Sequence, residues 1–278
     1  MCTHRPATAR ALARAIALAP IAALLAACGE ASTLTSIPRT PSLTDAQISR
    51  DVAASAGQAV ALDVVDLLRG EVAAGLTSFA AATCPYDAAS SYHVCAPVTL
   101  EERTIARRFQ FRDASGTATQ GYDAELTASV NFLRTLDGSV SGATSDGLAW
   151  TRGVHETSNR TVSGLAGGET QRVWNGTDTG ADTTIYTGGS NTRTYAASVS
   201  QTATDVVVAV PRVALSWPLS GTITRVVTAK LTQSSTTAVR NVVRTATVTF
   251  NGTSSVPIVV NGLTCTLDLN SVSVTGCP

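Results

Sequence analysis

From about residue 104 onward the chain alternates with a period of two, and this restricts its fold more than any other feature. In residues 222–231, Ile223, Arg225, Val227, Ala229 and Leu231 share one parity. Thr222, Thr224, Val226, Thr228 and Lys230 share the other. Successive strand residues point to opposite faces, so this pattern reads as one buried face and one wet, Thr-rich face. In residues 126–132, Leu126, Ala128, Val130 and Phe132 alternate in the same way with Thr127, Ser129 and Asn131. Thr, Val, Ile and Phe are frequent here and helix formers are few. Asp137-Gly138, Asp146-Gly147, Asn175-Gly176, Asn251-Gly252 and Asn261-Gly262 punctuate the region. Asx-Gly tolerates the positive φ of a type I′ turn, so each pair predicts a hairpin. The spacing predicts an antiparallel meander of roughly eight to eleven strands. It closes on a small hairpin over residues 263–269 and 272–276.

A helix precedes the strands. Ser42 is a candidate N-cap, with Asp45 three residues on. Ile48, Val52, Ala56, Val60, Val64 and Leu68 recur every four residues and draw an apolar stripe. Asp45, Asp51, Asp63, Asp66 and Arg69 fall mostly off it. Gly57 is placed to bend or divide the helix, and Gly70 or Gly75 to end it. The stripe fits packing on a sheet. The polar side is acidic, which argues against a helix lying on a lipid surface. Residues 77–103 read as irregular. The expected fold class is mainly β: an antiparallel meander sheet, strongly curved or half-barrel, with an N-terminal helix packed on it. A transmembrane barrel is the rival, but aromatics are only 5% of the chain, too few for two interfacial girdles.

The N-terminus has the parts of an export signal. Arg5, Arg10 and Arg14 form a basic region with no acid, and residues 15–27 form an apolar one interrupted by Pro20. As a helix that stretch covers about 20 Å, short of a ~30 Å hydrocarbon core. Leu25-Ala26-Ala27-Cys28 then resembles the lipobox of bacterial lipoproteins. The resemblance covers the signal alone. It implies diacylglyceryl transfer to the Cys28 sulfur, cleavage between Ala27 and Cys28, and contact with the lipoprotein-processing and sorting machinery. Gly29 at +2, in place of Asp, implies an outer-membrane location in a Gram-negative cell. The domains expected are a signal peptide over 1–27, the lipidated Cys28 with a Ser/Thr/Pro-rich tether over 28–41, and one helix-plus-β domain over 42–278. A flexible tether of that length spans roughly 20 Å.

Cysteine use agrees with export. Cys2 falls in the leader and Cys28 is taken by lipid, leaving Cys84, Cys95, Cys265 and Cys277. An even number in an exported chain suggests disulfides. Three connectivities are open, and sequence proximity favours Cys84–Cys95 and Cys265–Cys277. No Cys-x-x-Cys pair is present, which argues against zinc. Twenty basic residues balance twenty acidic ones. Removing the leader's three Arg leaves the rest slightly acidic, so nucleic acid is not an expected partner.

Catalytic motifs are sparse. His93 and His155 read as lone exposed loop residues, without metal-ligand spacing. No Gly-x-Ser-x-Gly elbow occurs. Residues 164–169 are Gly-rich but lack the end of a phosphate loop and read as a long turn. Asp178 and Asp182 do not match an EF-hand. Trp150, Trp174 and Trp217 read as sheet residues, with sugar stacking as the alternative. Residues 164–176 and 265–269 give the mature domain a loose similarity to exported bacterial β proteins of no named family. The expected function is a non-enzymatic, lipid-anchored structural or binding module of the cell envelope, with no cofactor or metal. Its membrane contact is the anchor on Cys28, and any lipid or protein ligand is open. A lipid carrier or envelope-assembly factor with an apolar cavity is the alternative, and an exported hydrolase ranks third.

Overall fold

The computed structural model describes residues 43–66, 84–100, 102–144, 147–165, 167–188, 191–210 and 216–278. Among these residues one helix, α1 (Asp45–Asp66), precedes fourteen strands. β1 (Tyr86–Asp87), β2 (Tyr92–Val94), β3 (Val98–Leu100) and β5 (Ala118–Thr119) are short. The long strands are β4 (Arg103–Asp113), β6 (Thr127–Ala143), β7 (Ala149–Ser163), β8 (Gln171–Gly188), β9 (Asn191–Ala209), β10 (Ser220–Gln233) and β11 (Val239–Thr249). β12 (Ser255–Val260), β13 (Leu263–Asp268) and β14 (Ser273–Thr275) finish the chain. All pair antiparallel in one sheet that does not close, in the order β1-β2-β4-β6 and then consecutively to β14. β3 and β5 add to β4.

The helix starts two residues later than Ser42 would place it. Thr44 Oγ1 accepts from the Gln47 amide at 3.2 Å, and Gln47 Oε1 accepts from the Thr44 amide at 2.8 Å. That reciprocal pair is a capping box on Thr44. Leu68, Arg69, Gly70 and Gly75 lie outside the described residues. Gly57 does not divide the helix. A Cβ there would sit 2.4 Å from a Val274 methyl, so Gly57 lets β14 approach closely.

Two Asx-Gly pairs expected as turns lie inside strands. Gly138 sits mid-β6 at φ 142°, where a Cβ would meet the Glu102 carbonyl oxygen at 2.0 Å. Near Gly176 the β8–β9 register shifts between Trp174 and Gly176, a bulge that a side chain would jam against β7. Asn251-Gly252 and Asn261-Gly262 do turn the chain, with Gly252 and Gly262 at positive φ. Leu126 precedes β6 and is exposed, because the pairing of β4 with β6 slips one residue between Arg112 and Asp113. The region expected to be irregular holds β1 to β3.

Both disulfides pair neighbours in sequence, Cys84–Cys95 and Cys265–Cys277. The second ties β13 to the segment just after β14. The outward face of β7 to β10 carries Thr and Ser, as in the opposed row Thr157, Thr179, Ser200. The inward face meets α1 and falls into zones. Phe109, Phe111, Phe132 and Trp174 form an aromatic zone, with Phe132 stacked on Trp174 at 5.4 Å. Val199, Val227, Ala229 and Leu231 form an aliphatic one. Among the described residues, no helix is long and apolar enough to cross a membrane.

Candidate functional site

Between these apolar zones the inward face carries a belt of charge. β7 places Arg152, Glu156 and Arg160 on one face at every fourth position, and all three are buried. β8 adds Asp178 and Asp182, β9 adds Gln201, and β10 adds Arg225, buried with them. β6 contributes Arg134. From the other side α1 inserts Asp63, which is 3% exposed.

Asp63 is the hub. Its Oδ1 accepts from Arg134 at 2.6 Å, and its Oδ2 accepts from Arg160 at 2.8 Å and from Gln201 at 2.6 Å. Arg160 also donates to both oxygens of Asp178, and Gln201 donates to Asp178 Oδ2. Arg225 bridges Glu156 at 3.1 Å and Asp182 at 2.9 Å. Arg134 reaches Asp66 at 3.1 Å. Arg152 donates to the Ser55 carbonyl oxygen of α1 at 2.9 Å. Nearer its start, α1 places Asp51 between Arg193 at 2.8 Å and the Tyr195 hydroxyl at 2.6 Å.

Four carboxylates thus face four guanidiniums in the belt, and the charges cancel. That is the condition under which buried ions are tolerated, because an unpaired charge in the interior costs several kcal/mol. Burial alone would raise the Asp63 carboxyl. The guanidiniums of Arg160 and Arg134, with the Gln201 amide, overcome this and hold it well below the usual carboxylate range. Glu156 goes the other way: burial pushes it up, Arg225 and Arg134 pull against this, and Asp63 and Asp178 push with it. Burial and Asp51 raise the Tyr186 and Tyr195 phenols far above the ordinary value, so both act as neutral donors.

Asp63, Glu156 and Asp178 bring carboxylate oxygens within 4.8 Å of one another, close enough to hold a cation. Their chemistry does not fit one. Asp63 and Asp178 already accept from guanidinium or amide at both oxygens, and Glu156 faces Arg225 and Arg134. A metal would have to displace an arginine and leave it buried without a counterion. Asp178 and Asp182, weighed above for calcium, are held by Arg160 and Arg225. The cavity beside the belt is about 30 Å³, the size of one water.

The two histidines separate. His93 is buried in β2, not exposed on a loop: its ring lies between the carbonyl oxygens of Cys84 (3.1 Å) and Gln120 (2.8 Å) and stacks on Phe109 at 4.8 Å. His155 is exposed on the outward face of β7, with Nδ1 on Asp137. The two do not converge. Trp150 and Trp174 are buried in the sheet, away from a sugar-binding surface. The described residues of 164–170 lie between β7 and β8 outside regular structure, in line with a turn. Cys84, Cys95, Cys265 and Cys277 meet in their two pairs, while Ala27 and Cys28 lie outside the described residues.

Apolar faces alone do not reveal the belt in the sequence. The signal was present: Arg152, Glu156 and Arg160 share a parity with Trp150, Val154 and Val162, opposite a parity of Thr, Gly and Asn. Charge on the apolar parity marks ions that must be paired inside. Compared with known proteins, the chain matches no family model, no curated protein and no solved structure.

Proposed function

We propose that the chain is a lipid-anchored lipoprotein of the bacterial cell envelope and acts there as a structural or binding module rather than as an enzyme. The anchor rests on Leu25-Ala26-Ala27-Cys28 behind a basic and then apolar leader. Two disulfides fit the oxidising compartment that such a leader implies. In a Gram-negative cell, Gly29 at +2 favours the outer membrane.

One structural observation favours a display module over the alternatives. The hollow of the curved sheet is occupied by α1, which is bolted to four long strands, β4, β6, β7 and β9, through Asp51, Asp63 and Asp66. A lipid carrier needs an apolar cavity in that place, whereas the belt there is charged and neutralised. A hydrolase needs His, carboxylate and hydroxyl in one cleft. The pair of His155 and Asp137 sits instead on an outward strand face.

The anchor is tested by labelling cells with radioactive palmitate. The wild-type chain takes up label, and Cys28→Ala abolishes both the label and cleavage before residue 28. Label that persists in Cys28→Ala overturns the lipoprotein reading.

A further inference from the structure

The sheet leaves a seam. A cleft of about 810 Å³ is lined on one side by residues 140–143 of β6 and on the other by β14, with Ala54 and Gln58 of α1 between them. β4 pairs with β6 only as far as Gly138, and the Ser139 amide then donates to the Glu102 carbonyl oxygen at 3.1 Å. Beyond that point no strand among the described residues pairs with this edge of β6. In an antiparallel strand the amide and carbonyl of one residue point to the same side, and alternate residues point to opposite sides. Since Ser139 points into the seam, Ser141 and Ala143 do so as well. The Gln58 amide, reaching the Ser141 carbonyl oxygen at 3.4 Å, agrees with that direction. Opposite, β14 pairs with β13 alone among the described strands.

Among the residues lining the cleft, Trp150 Nε1 and Gln58 Oε1 are buried polar atoms with no hydrogen-bond partner among the described residues. Trp150 is 3% exposed. Its ring lies flat on Gly142, where a Cβ would come within 2.6 Å of it. The cleft thus offers backbone donors and acceptors in alternation, plus one more donor and one more acceptor. Arg103 is the only charged residue among those lining it.

Strand direction selects the occupant. From β6 to β14 the sheet passes through nine strands, each antiparallel to the next. Nine is odd, so β6 and β14 run the same way and cannot zip together as antiparallel neighbours. A single extended segment placed between them is antiparallel to both and satisfies both edges. Residues 139–143 offer an edge of about 17 Å at ~3.4 Å per residue.

We propose that this seam binds an extended peptide segment of another protein, which adds as a strand between β6 and β14. Strand addition of this kind draws affinity from main-chain hydrogen bonds. The proposal does not rest on the anchor, since the residues lining the cleft fall between Ala54 and Thr275.

The test uses the full chain, purified in mild detergent, and a phage-displayed library of random heptapeptides. Enriched sequences are synthesised with a fluorophore and titrated. Ser141→Pro removes a seam-facing amide while leaving the β7 side of the strand paired, and it weakens binding at least tenfold. Val140→Trp, on the inward parity of β6, fills the cleft without altering the backbone and does the same, which guards against a folding defect in the proline variant. Amide exchange gives a second readout: Ser141 and Ala143 exchange fast in the free protein and slow tenfold or more with peptide bound. The proposal is overturned if no sequence is enriched, if binding is equal in both variants, or if the Ser141 amide is already protected without peptide.

Discussion

The two sides of α1 are held by different physics. One side, through Ala53, Gly57, Val60 and Val64, packs on the sheet's late strands, with Gly57 against Val274, Leu267 and Ile258. The other presents Asp51, Asp63 and Asp66 to arginines of β4, β6, β7 and β9. The apolar side gains from area removed from water, and shape decides how well it fits. The ionic side gains little net energy, since desolvation offsets the Coulomb attraction, but it tolerates no missing partner. The first kind of contact is graded and the second is all or nothing. A helix enclosed by a sheet on both sides therefore has one face that sets affinity and one that sets position.

The largest expected effect breaks the ionic side. Asp63→Ala leaves Arg134 and Arg160 buried without their shared counterion and costs about 3–5 kcal/mol in urea unfolding. A loss under about 1 kcal/mol would falsify the assignment of Asp63 as hub. On the apolar side, replacing both Cys265 and Cys277 with Ser releases the edge that packs on α1. By the loop-entropy model this costs about 2–3 kcal/mol. Gly57→Leu pushes α1 off Val274 and costs roughly 1–3 kcal/mol, as overpacking does. A neutral result there means that β14 gives way freely.

Acid separates the two carboxyls of the belt. Asp63 is depressed in the folded state, so its contribution is present above its unfolded value near 4 and fades as pH falls further, towards its folded value. Glu156 is raised, so its ionised form costs stability at neutral pH, and that cost disappears as pH falls through its folded value towards its unfolded one. Denaturation followed from pH 7 to pH 2 is expected to show stability steady or rising on first acidification, then falling below about pH 4. In Glu156→Gln the initial rise is absent. A steady loss of stability from pH 7 downward, with no plateau, counts against the Glu156 assignment. The smallest effect belongs to Asp45, 74% exposed beside Arg240 and Arg244. Asp45→Ala is expected to cost under about 1 kcal/mol and to lose that difference in high salt.

Much of this architecture was legible before any coordinates. The alternation in residues 222–231 gave β10 with its buried parity, including Arg225. The Cys pairs followed from proximity, and the helix from a four-residue repeat. Where sequence and structure differ the cause is the same: a local signal carries nothing of what lies opposite it in the fold. Asp137-Gly138 and Asn175-Gly176 have turn chemistry, yet both glycines sit inside strands, where the neighbouring backbone leaves no room for a Cβ. His93 looked like a loop residue because the partners that bury it, Phe109 and the Gln120 carbonyl, are far along the chain. Asp51 and Asp63 fell off the apolar stripe and so looked solvated, but the sheet covers that side too.

By itself the sequence determined the local alphabet of this protein: period-two strands, one helix and two short disulfide loops. Those depend on residues a few positions apart, where dihedral preference and parity act directly. Only the tertiary structure decided which charges meet. Asp63 finds Arg134, Arg160 and Gln201 across separations of 71, 97 and 138 residues, because the sheet curls round the helix. The same curl brings β6 and β14 to one cleft, running in the same direction, a relation set by the count of strands between them.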